Sequence, residues 1–115
     1  IVEVKNSGSA AAYVRVKVEK KIVLSEGLEG EPDSNLIKID FDETCWTPGE
    51  EGYYYYKEVL EPNAVTEPLF TLVSFDSGMG NIYQNSTVTV DINAYAVQAA
   101  NNGDHAMDAR GWPEV

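Results

Sequence analysis

A strictly alternating run at residues 11–18, Ala-Ala-Tyr-Val-Arg-Val-Lys-Val, limits what this chain can fold into. Successive side chains of an extended chain point to opposite sides, so Val14, Val16 and Val18 share one side while Arg15 and Lys17 share the other. One apolar side and one polar side are typical of a half-buried β-strand. The pattern therefore predicts a strand over residues 11–19.

Other short runs with strand character follow along the chain. Turn-forming residues separate them, with glycine, proline and asparagine at the reversals. The predicted strands cover residues 2–5, 11–19, 37 to about 45, 53–56, 69–75 and 87–97. Surface loops are predicted at residues 24–34 and 76–81, and a short helical segment is predicted over residues 105–110. The sequence predicts an all-β, antiparallel β-sandwich that forms a single domain over residues 1–115.

The run at residues 87–97 is the strongest strand signal. Its even-numbered apolar side chains are expected to face the core; they are Val88, Val90, Ile92, Ala94 and Ala96. Tyr95 and Val97 carry apolar character to the other face, where the C-terminal segment is a candidate cover.

Four consecutive tyrosines, Tyr53–Tyr56, place aromatic rings on both faces of one strand. Two interpretations stay open: a strand covered on both faces, or a strand whose outer face meets another molecule. On the second interpretation Tyr54, Tyr56 and Trp112 form a possible contact surface.

Eight basic and nineteen acidic residues give a net charge of −11. This charge argues against nucleic acid and anionic lipid as partners, since binding to either requires positive charge. The acidic excess either collects divalent cations or is a solvated exterior. No apolar stretch approaches the roughly 20 residues that span a bilayer, so no membrane span is predicted. The chain begins at Ile1 without an export signal, and we expect it to be a processed or trimmed fragment.

The sequence offers no set of catalytic residues. His105 is the single histidine, so it cannot supply the two or three imidazoles that a catalytic zinc commonly takes. A serine triad would need the same histidine, and no Gly-x-Ser-x-Gly elbow surrounds any serine. Asp104 and Asp108 either hold a hard cation on a helical turn or serve as a helix cap and a surface pair. Cys45 beside Trp46 predicts a buried, unreactive thiol. We therefore predict no enzyme activity, no cofactor and no metal ligands.

Several segments taken in order resemble the TasA/camelysin-like proteins of Gram-positive bacteria. The segments are Val4–Ser9 with Ala12–Val16, Trp46 with Gly52–Lys57, Leu60–Pro62 with Thr66, Ala94–Ala99, and Trp112. The resemblance spans nearly the entire chain. It implies a secreted protein of the cell surface or biofilm matrix with a jelly-roll-like sandwich, and the fold expectation becomes a jelly-roll or immunoglobulin-like β-sandwich.

The resemblance also implies how such a protein works. The best-studied family members polymerise by donating an N-terminal strand to the next subunit, so the expected partners are other copies of the chain or other cell-surface and matrix proteins. This chain is much shorter than the fibre-forming members, and its signal peptide and the preceding donor strand are expected to be absent. The expected function is structural or surface assembly. The alternatives are an adhesin-like module that binds carbohydrate or protein through Tyr54, Tyr56 or Trp112, and a camelysin-like metallopeptidase, for which the sequence offers no ligand set.

Overall fold

A computed structural model describes residues 1–25, 32–76, 80, 83 and 85–113. The strands in these ranges are β1 (Ala12–Val23), β2 (Ile37–Ile39), β3 (Trp46–Pro48), β4 (Tyr53–Tyr56), β5 (Val73–Phe75) and β6 (Thr87–Gln98). The neighbouring strands pair antiparallel throughout. The prediction of an all-β, antiparallel and sandwich-like protein is therefore confirmed.

The main sheet has the strand order β3-β4-β1-β6, and β2 pairs with β5 in a smaller sheet. Strands β1 and β6 pair along their full lengths, from Ala12 opposite Gln98 to Val23 opposite Thr87. Strand β4 pairs with only three residues of β1, Arg15 to Lys17. The long β1–β6 ribbon therefore extends well beyond the rest of the main sheet.

The apolar side of β1 forms the inner face of the main sheet. Residues directly opposite each other on paired strands point to the same face, so Tyr54 joins Val16, and Tyr56 joins Trp46. The buried core on this face consists of Val14, Val16, Val18, Trp46, Tyr56, Leu60, Leu69 and Phe70.

A second layer covers part of the inner face. Its N-terminal segment, residues 1–6, runs antiparallel to residues 63–70: the Val2 amide donates to the Phe70 carbonyl at 3.1 Å, and the Thr66 amide donates to the Val4 carbonyl at 2.8 Å. The predicted strand over residues 2–5 is extended but forms isolated bridges. One reason is that the Val4 amide donates to the Thr66 side-chain oxygen instead of a backbone carbonyl.

The strand predicted from residue 37 to about residue 45 ends at Ile39 in the structure, and the chain enters a separate strand, β3, at Trp46. The predicted strand at residues 69–75 is also shorter in the structure. Leu69 and Phe70 are buried beneath the N-terminal segment, and only Val73–Phe75 form a strand. The Asp40 carboxylate accepts hydrogen bonds from the amides of Thr71 and Leu72, which redirects the chain towards β2. Leu72 is consequently exposed.

The two predicted loops fall partly outside the described residues: 26–31 of the first, and 77–79 and 81 of the second. Among the residues that the structure does describe, no helix has the length and apolar character needed to cross a bilayer.

The predicted C-terminal helical segment is not confirmed, because only three residues, Ala106–Asp108, form a 3-10 turn there. Asn102 organises this region instead: its side chain donates to the carbonyls of Gln98 and Arg110 and accepts from the Arg110 amide. The Tyr13 hydroxyl also donates to the Gly103 carbonyl at 2.6 Å. These bonds hold the C-terminal segment, residues 99–113, across the outer face of the main sheet.

Candidate contact surfaces

The structure does not bring Tyr54, Tyr56 and Trp112 together on one surface. Tyr56 is buried on the inner face with its ring centroid 4.9 Å from that of Trp46, and its hydroxyl accepts from the Glu67 amide. Tyr54 is half-buried on the same face and stacks on Phe41 at 4.2 Å. This burial raises the pKa of Tyr54. Trp112 lies on the opposite, outer face, so a contact role shared by these three residues stays a prediction.

The outer face instead carries an aromatic cluster around one cation, Arg15. Its members are Arg15 of β1, Tyr53 and Tyr55 of β4, Tyr95 of β6, and Trp112 of the C-terminal segment; we call it the outer cluster. The strand register explains its position, because Arg15 stands directly opposite Tyr55 on one side and Tyr95 on the other.

Arg15 is held between aromatic rings. The central carbon of its guanidinium is 4.2 Å from the Tyr53 ring centroid and 4.7 Å from that of Trp112. Its Nη1 donates to the Tyr55 hydroxyl at 3.1 Å. At these distances the cation is attracted to the negative faces of the rings.

The guanidinium of Arg15 has no carboxylate partner among the described residues. Its Nε is buried without a hydrogen-bond acceptor. The neighbouring cation on β1, Lys17, does have one, since its Nζ lies 3.2 Å from a Glu19 carboxylate oxygen. That carboxylate raises the pKa of Lys17. Arg15 is thus a cation held by aromatic rings and one hydrogen bond to a tyrosine hydroxyl.

A cavity of about 620 Å³ opens beside the outer cluster. Arg15, Tyr53 and Tyr55 line it on the sheet, the β3–β4 turn at residues 48–51 forms one wall, and Met107 forms another. The carboxylates of Glu50 and Glu51 lie on that turn and are exposed.

The β3–β4 turn has a fixed geometry. Glu51 and Gly52 both have positive φ, at 56° and 82°, as in the type I′ turns that join antiparallel strands. The Tyr53 amide donates to the Glu50 carbonyl, and the Gly52 carbonyl accepts from the Val18 amide of β1. The sheet therefore fixes the backbone of the turn that carries both glutamates beside the cavity.

A second surface lies along β6. The side chains predicted to face the core do lie on the inner face, but Ile92, Ala94 and Ala96 are exposed there, and Ile92 keeps 39% of its surface accessible. Among the described side chains of β6, Val90 packs against the core cluster. An apolar strip on β6 is thus left uncovered.

The two edges of the main sheet differ. Strand β3 is three residues long and contains Pro48, and such features prevent pairing with a further strand. Strand β6 is twelve residues long, has no proline, and has no backbone partner within the described ranges on the side away from β1. The β6 edge is therefore open for pairing.

The N-terminal segment presents another unpaired edge in the second layer. The backbone groups of Val2, Val4 and Asn6 point towards residues 64–70, whereas those of Glu3 and Lys5 have no hydrogen-bond partner in the described part of the chain. A cavity of about 260 Å³ lies between residues 6–12 and residues 96–98. The unpaired N-terminal edge and the uncovered β6 strip thus lie on the same side of the molecule.

The remaining candidates have local structural roles. Hydrogen bonds from the Leu72 and Thr71 amides lower the pKa of Asp40, and a bond from the Thr44 amide lowers that of Asp42. Burial, with the Asp42 carboxylate nearby, raises the pKa of the half-buried Cys45 thiol and disfavours its reactive thiolate. Asp104, His105 and Asp108 are exposed, and across the described ranges no three His, Cys, Asp or Glu side chains are grouped to hold a metal.

Inspection of the sequence missed Arg15, Tyr53 and Tyr95 as members of a cluster. The sequence did contain one indication of this cluster, because Arg15 falls on the polar side of the alternating run in β1. Knowing which pair of tyrosines lies beside Arg15 requires the β1–β4 register, which the four identical residues do not reveal.

No protein-family model, no curated protein and no solved structure matches this chain. Over the described residues, the fold and these surfaces define an all-β protein with an open β6 edge, an unpaired N-terminal edge and an aromatic cluster on the outer face.

Proposed function

We propose that this protein is a structural or surface-assembly protein that acts through protein–protein contacts, and that a strand from a second copy of the chain adds beside β6. The observation that carries the proposal is the coincidence of an open backbone edge with an uncovered apolar strip at Ile92, Ala94 and Ala96. Backbone pairing at the β6 edge would supply affinity, and a second strand of the added copy, placed over the inner face, would cover the strip.

The chain's own edges support this assignment. Soluble proteins usually blunt exposed edges with proline, charge or short length, and β3 has two of these features. Strand β6 has neither proline nor short length, and the one acidic or basic residue along it is Asp91. An edge left open over twelve residues is a natural site for strand addition.

The unpaired edge at Glu3 and Lys5 makes the fit more specific. A strand placed over the uncovered strip would extend the second layer, where these backbone groups stand free of described partners. It would complete a jelly-roll or immunoglobulin-like sandwich of the kind implied by the TasA/camelysin resemblance. That resemblance is also the basis for proposing a secreted protein of the cell surface or biofilm matrix.

A charge on the uncovered strip tests the proposal. Ala94→Lys places an ammonium group where the added strand would pack, while Ala100→Lys makes the same change at an exposed residue beyond β6. We expect sedimentation velocity and negative-stain microscopy of the mature protein to show concentration-dependent oligomers or fibres, which Ala94→Lys abolishes and Ala100→Lys retains. A protein that stays monomeric at every concentration, or an Ala94→Lys variant that assembles normally, would refute it.

A further inference from the structure

We propose that the cavity beside Arg15 on the outer face binds a neutral sugar unit of a polysaccharide. This site lies on the opposite face of the main sheet from the β6 strip, and the proposal does not depend on assembly. The cavity of about 620 Å³ falls within the roughly 300–1,000 Å³ range of ligand pockets.

The aromatic floor supplies the first half of the recognition. Tyr53 and Tyr55 line the cavity, half-buried, with ring centroids 6.4 Å apart. A pyranose ring has C–H faces that pack on aromatic rings, and tyrosine adds a hydroxyl that bonds at the edge. The two rings are tilted by 40° and Arg15 lies over Tyr53, so the sugar ring would pack on Tyr55 and against the edge of Tyr53.

Hydrogen-bonding groups surround that platform. Arg15 presents guanidinium donors beyond the one used by the Tyr55 hydroxyl, and Glu50 and Glu51 present carboxylate acceptors. Each sugar hydroxyl both donates and accepts, so a donor on one wall and acceptors on another match it. Apolar floor and polar walls are the usual composition of a small-ligand site.

The state of Arg15 favours a binding role over a purely structural one. Its Nε is buried without an acceptor, and leaving such a group unsatisfied costs about 1–3 kcal/mol. An aliphatic side chain would pack among the same rings without that cost. The ring contacts and the Tyr55 hydrogen bond offset part of that cost, and the remaining guanidinium donors are left for a ligand.

Charge selects a neutral ligand. Glu50 and Glu51 at the wall, in a chain of net charge −11, oppose an anionic polysaccharide. A cationic ligand would compete with Arg15, which already occupies the faces of Tyr53 and Trp112.

The walls are positioned in advance of binding. The Gly52 carbonyl ties the glutamate turn to β1, and the Asn102 bonds fix the C-terminal segment that carries Met107. Little ordering is then required when a ligand enters.

Titration of the 15N-labelled chain by NMR tests the proposal. The probes are the neutral hexasaccharides of cellulose, laminarin, starch and chitin, with trigalacturonate as the anionic comparison. We expect at least one neutral probe to shift the Arg15 Nε–H, Trp112 indole and Tyr53 amide signals. Glu51→Gln should weaken that binding about threefold or more, and Tyr53→Ala about tenfold. Glu58→Gln, the same change at an exposed residue away from the cavity, should leave it unchanged.

Several outcomes of this titration would each contradict the proposed sugar site. The proposal would be overturned if no neutral probe at millimolar concentration shifted the signals of the outer cluster. It would also be overturned if Glu51→Gln bound the neutral probe as tightly as the parent chain does, or if trigalacturonate bound more tightly than every neutral probe. Because Glu51 is exposed, its variant stays informative if Tyr53→Ala fails to fold. Loss of assembly in Ala94→Lys with sugar binding intact would separate this site from the β6 contact.

Discussion

Asn6 is a buried amide that closes the turn between the N-terminal segment and β1. Its Nδ2 donates to the carbonyls of Ala10 and Leu60, each at 2.9 Å, and its Oδ1 accepts from the Gly8 amide. We expect Asn6→Ala to lower the free energy of unfolding by about 2–3 kcal/mol, since buried backbone groups lose their partners. Urea denaturation measures this change.

Ser7→Ala is the matched control for Asn6. Ser7 is exposed and neighbours Asn6 in the same turn. Its replacement should change the free energy of unfolding by less than about 0.5 kcal/mol. Equal losses in the two variants would mean that the Asn6 hydrogen bonds do not stabilise the turn.

Asp40 makes stability depend on pH. Its carboxylate accepts from the Leu72 and Thr71 amides and the Thr71 hydroxyl, which lowers its pKa. The folded pKa thus lies below the value of about 3.9 in the unfolded chain, so the stabilisation is complete above about pH 5 and is lost as the pH falls through the folded pKa.

Comparison of Asp40→Asn with the parent chain tests this dependence. We expect the variant to be less stable at neutral pH, with the difference shrinking as the pH falls below about 4. Urea denaturation across pH measures it, with Asp104→Asn, an exposed residue, as the control. A difference that stays constant down to about pH 2 would show that Asp40 does not act through its charge.

The face of the sheet on which a side chain lies was predictable from the sequence, but the burial of that side chain was not. The alternation of apolar and polar residues in β1 correctly predicted the valines of the inner face, which are Val14, Val16 and Val18. The apolar side of β6 also lies on the inner face as predicted, yet Ala94 and Ala96 are exposed there. Sequence periodicity reports which side a residue takes and says nothing about whether a second layer reaches it.

The β3–β4 hairpin depends on one glycine. Gly52 has a φ of +82°, and a Cβ at this position would lie 2.7 Å from the Val18 carbonyl oxygen. We expect Gly52→Ala to cost about 1–3 kcal/mol, because the turn and the β1–β4 pairing cannot both be kept without strain. Thermal and urea unfolding measure it.

Gly80→Ala is the control for that glycine, since a Cβ there meets nothing within 4 Å. Its effect should stay within about 0.5 kcal/mol. If Gly52→Ala unfolded no more easily than Gly80→Ala, the hairpin would have to tolerate a different turn.

Long strands were easier to predict than short ones. Strand β6 was predicted to within one residue, whereas β1 runs four residues beyond its predicted end at Glu19. Residues 20–23 break the alternation with two successive lysines, yet pairing with β6 keeps them extended. At residues 69–75 the side chain of Asp40, distant in sequence, decided where the strand begins.

The molecule as a whole is elongated. Its radius of gyration is 16.8 Å, against about 13 Å for a compact domain of this length. The β1–β6 ribbon explains the difference, since twelve paired residues span roughly 40 Å of the 52 Å long axis.

Net charge should control assembly of the whole protein. Copies carrying a charge of −11 repel one another, and salt screens that repulsion. We therefore expect the proposed β6 association to strengthen when NaCl is raised from about 20 mM to about 500 mM. Sedimentation velocity measures it, and Ala94→Lys should stay monomeric at both concentrations. Association that weakens with salt would instead indicate a contact made by ion pairs.

The four successive tyrosines of β4 also have a consequence for folding. Because neighbouring positions are identical, sliding β4 by a single residue past β1 would still present tyrosine to both sides, so the rings themselves do little to select one alignment. That choice falls to the short reversal before them, where Glu51 and Gly52 fix the start of the strand. One residue inserted in this turn would shift β4 by one position, so that the other pair of tyrosines would face solvent. Each face of the sheet would still carry almost the same number of aromatic rings.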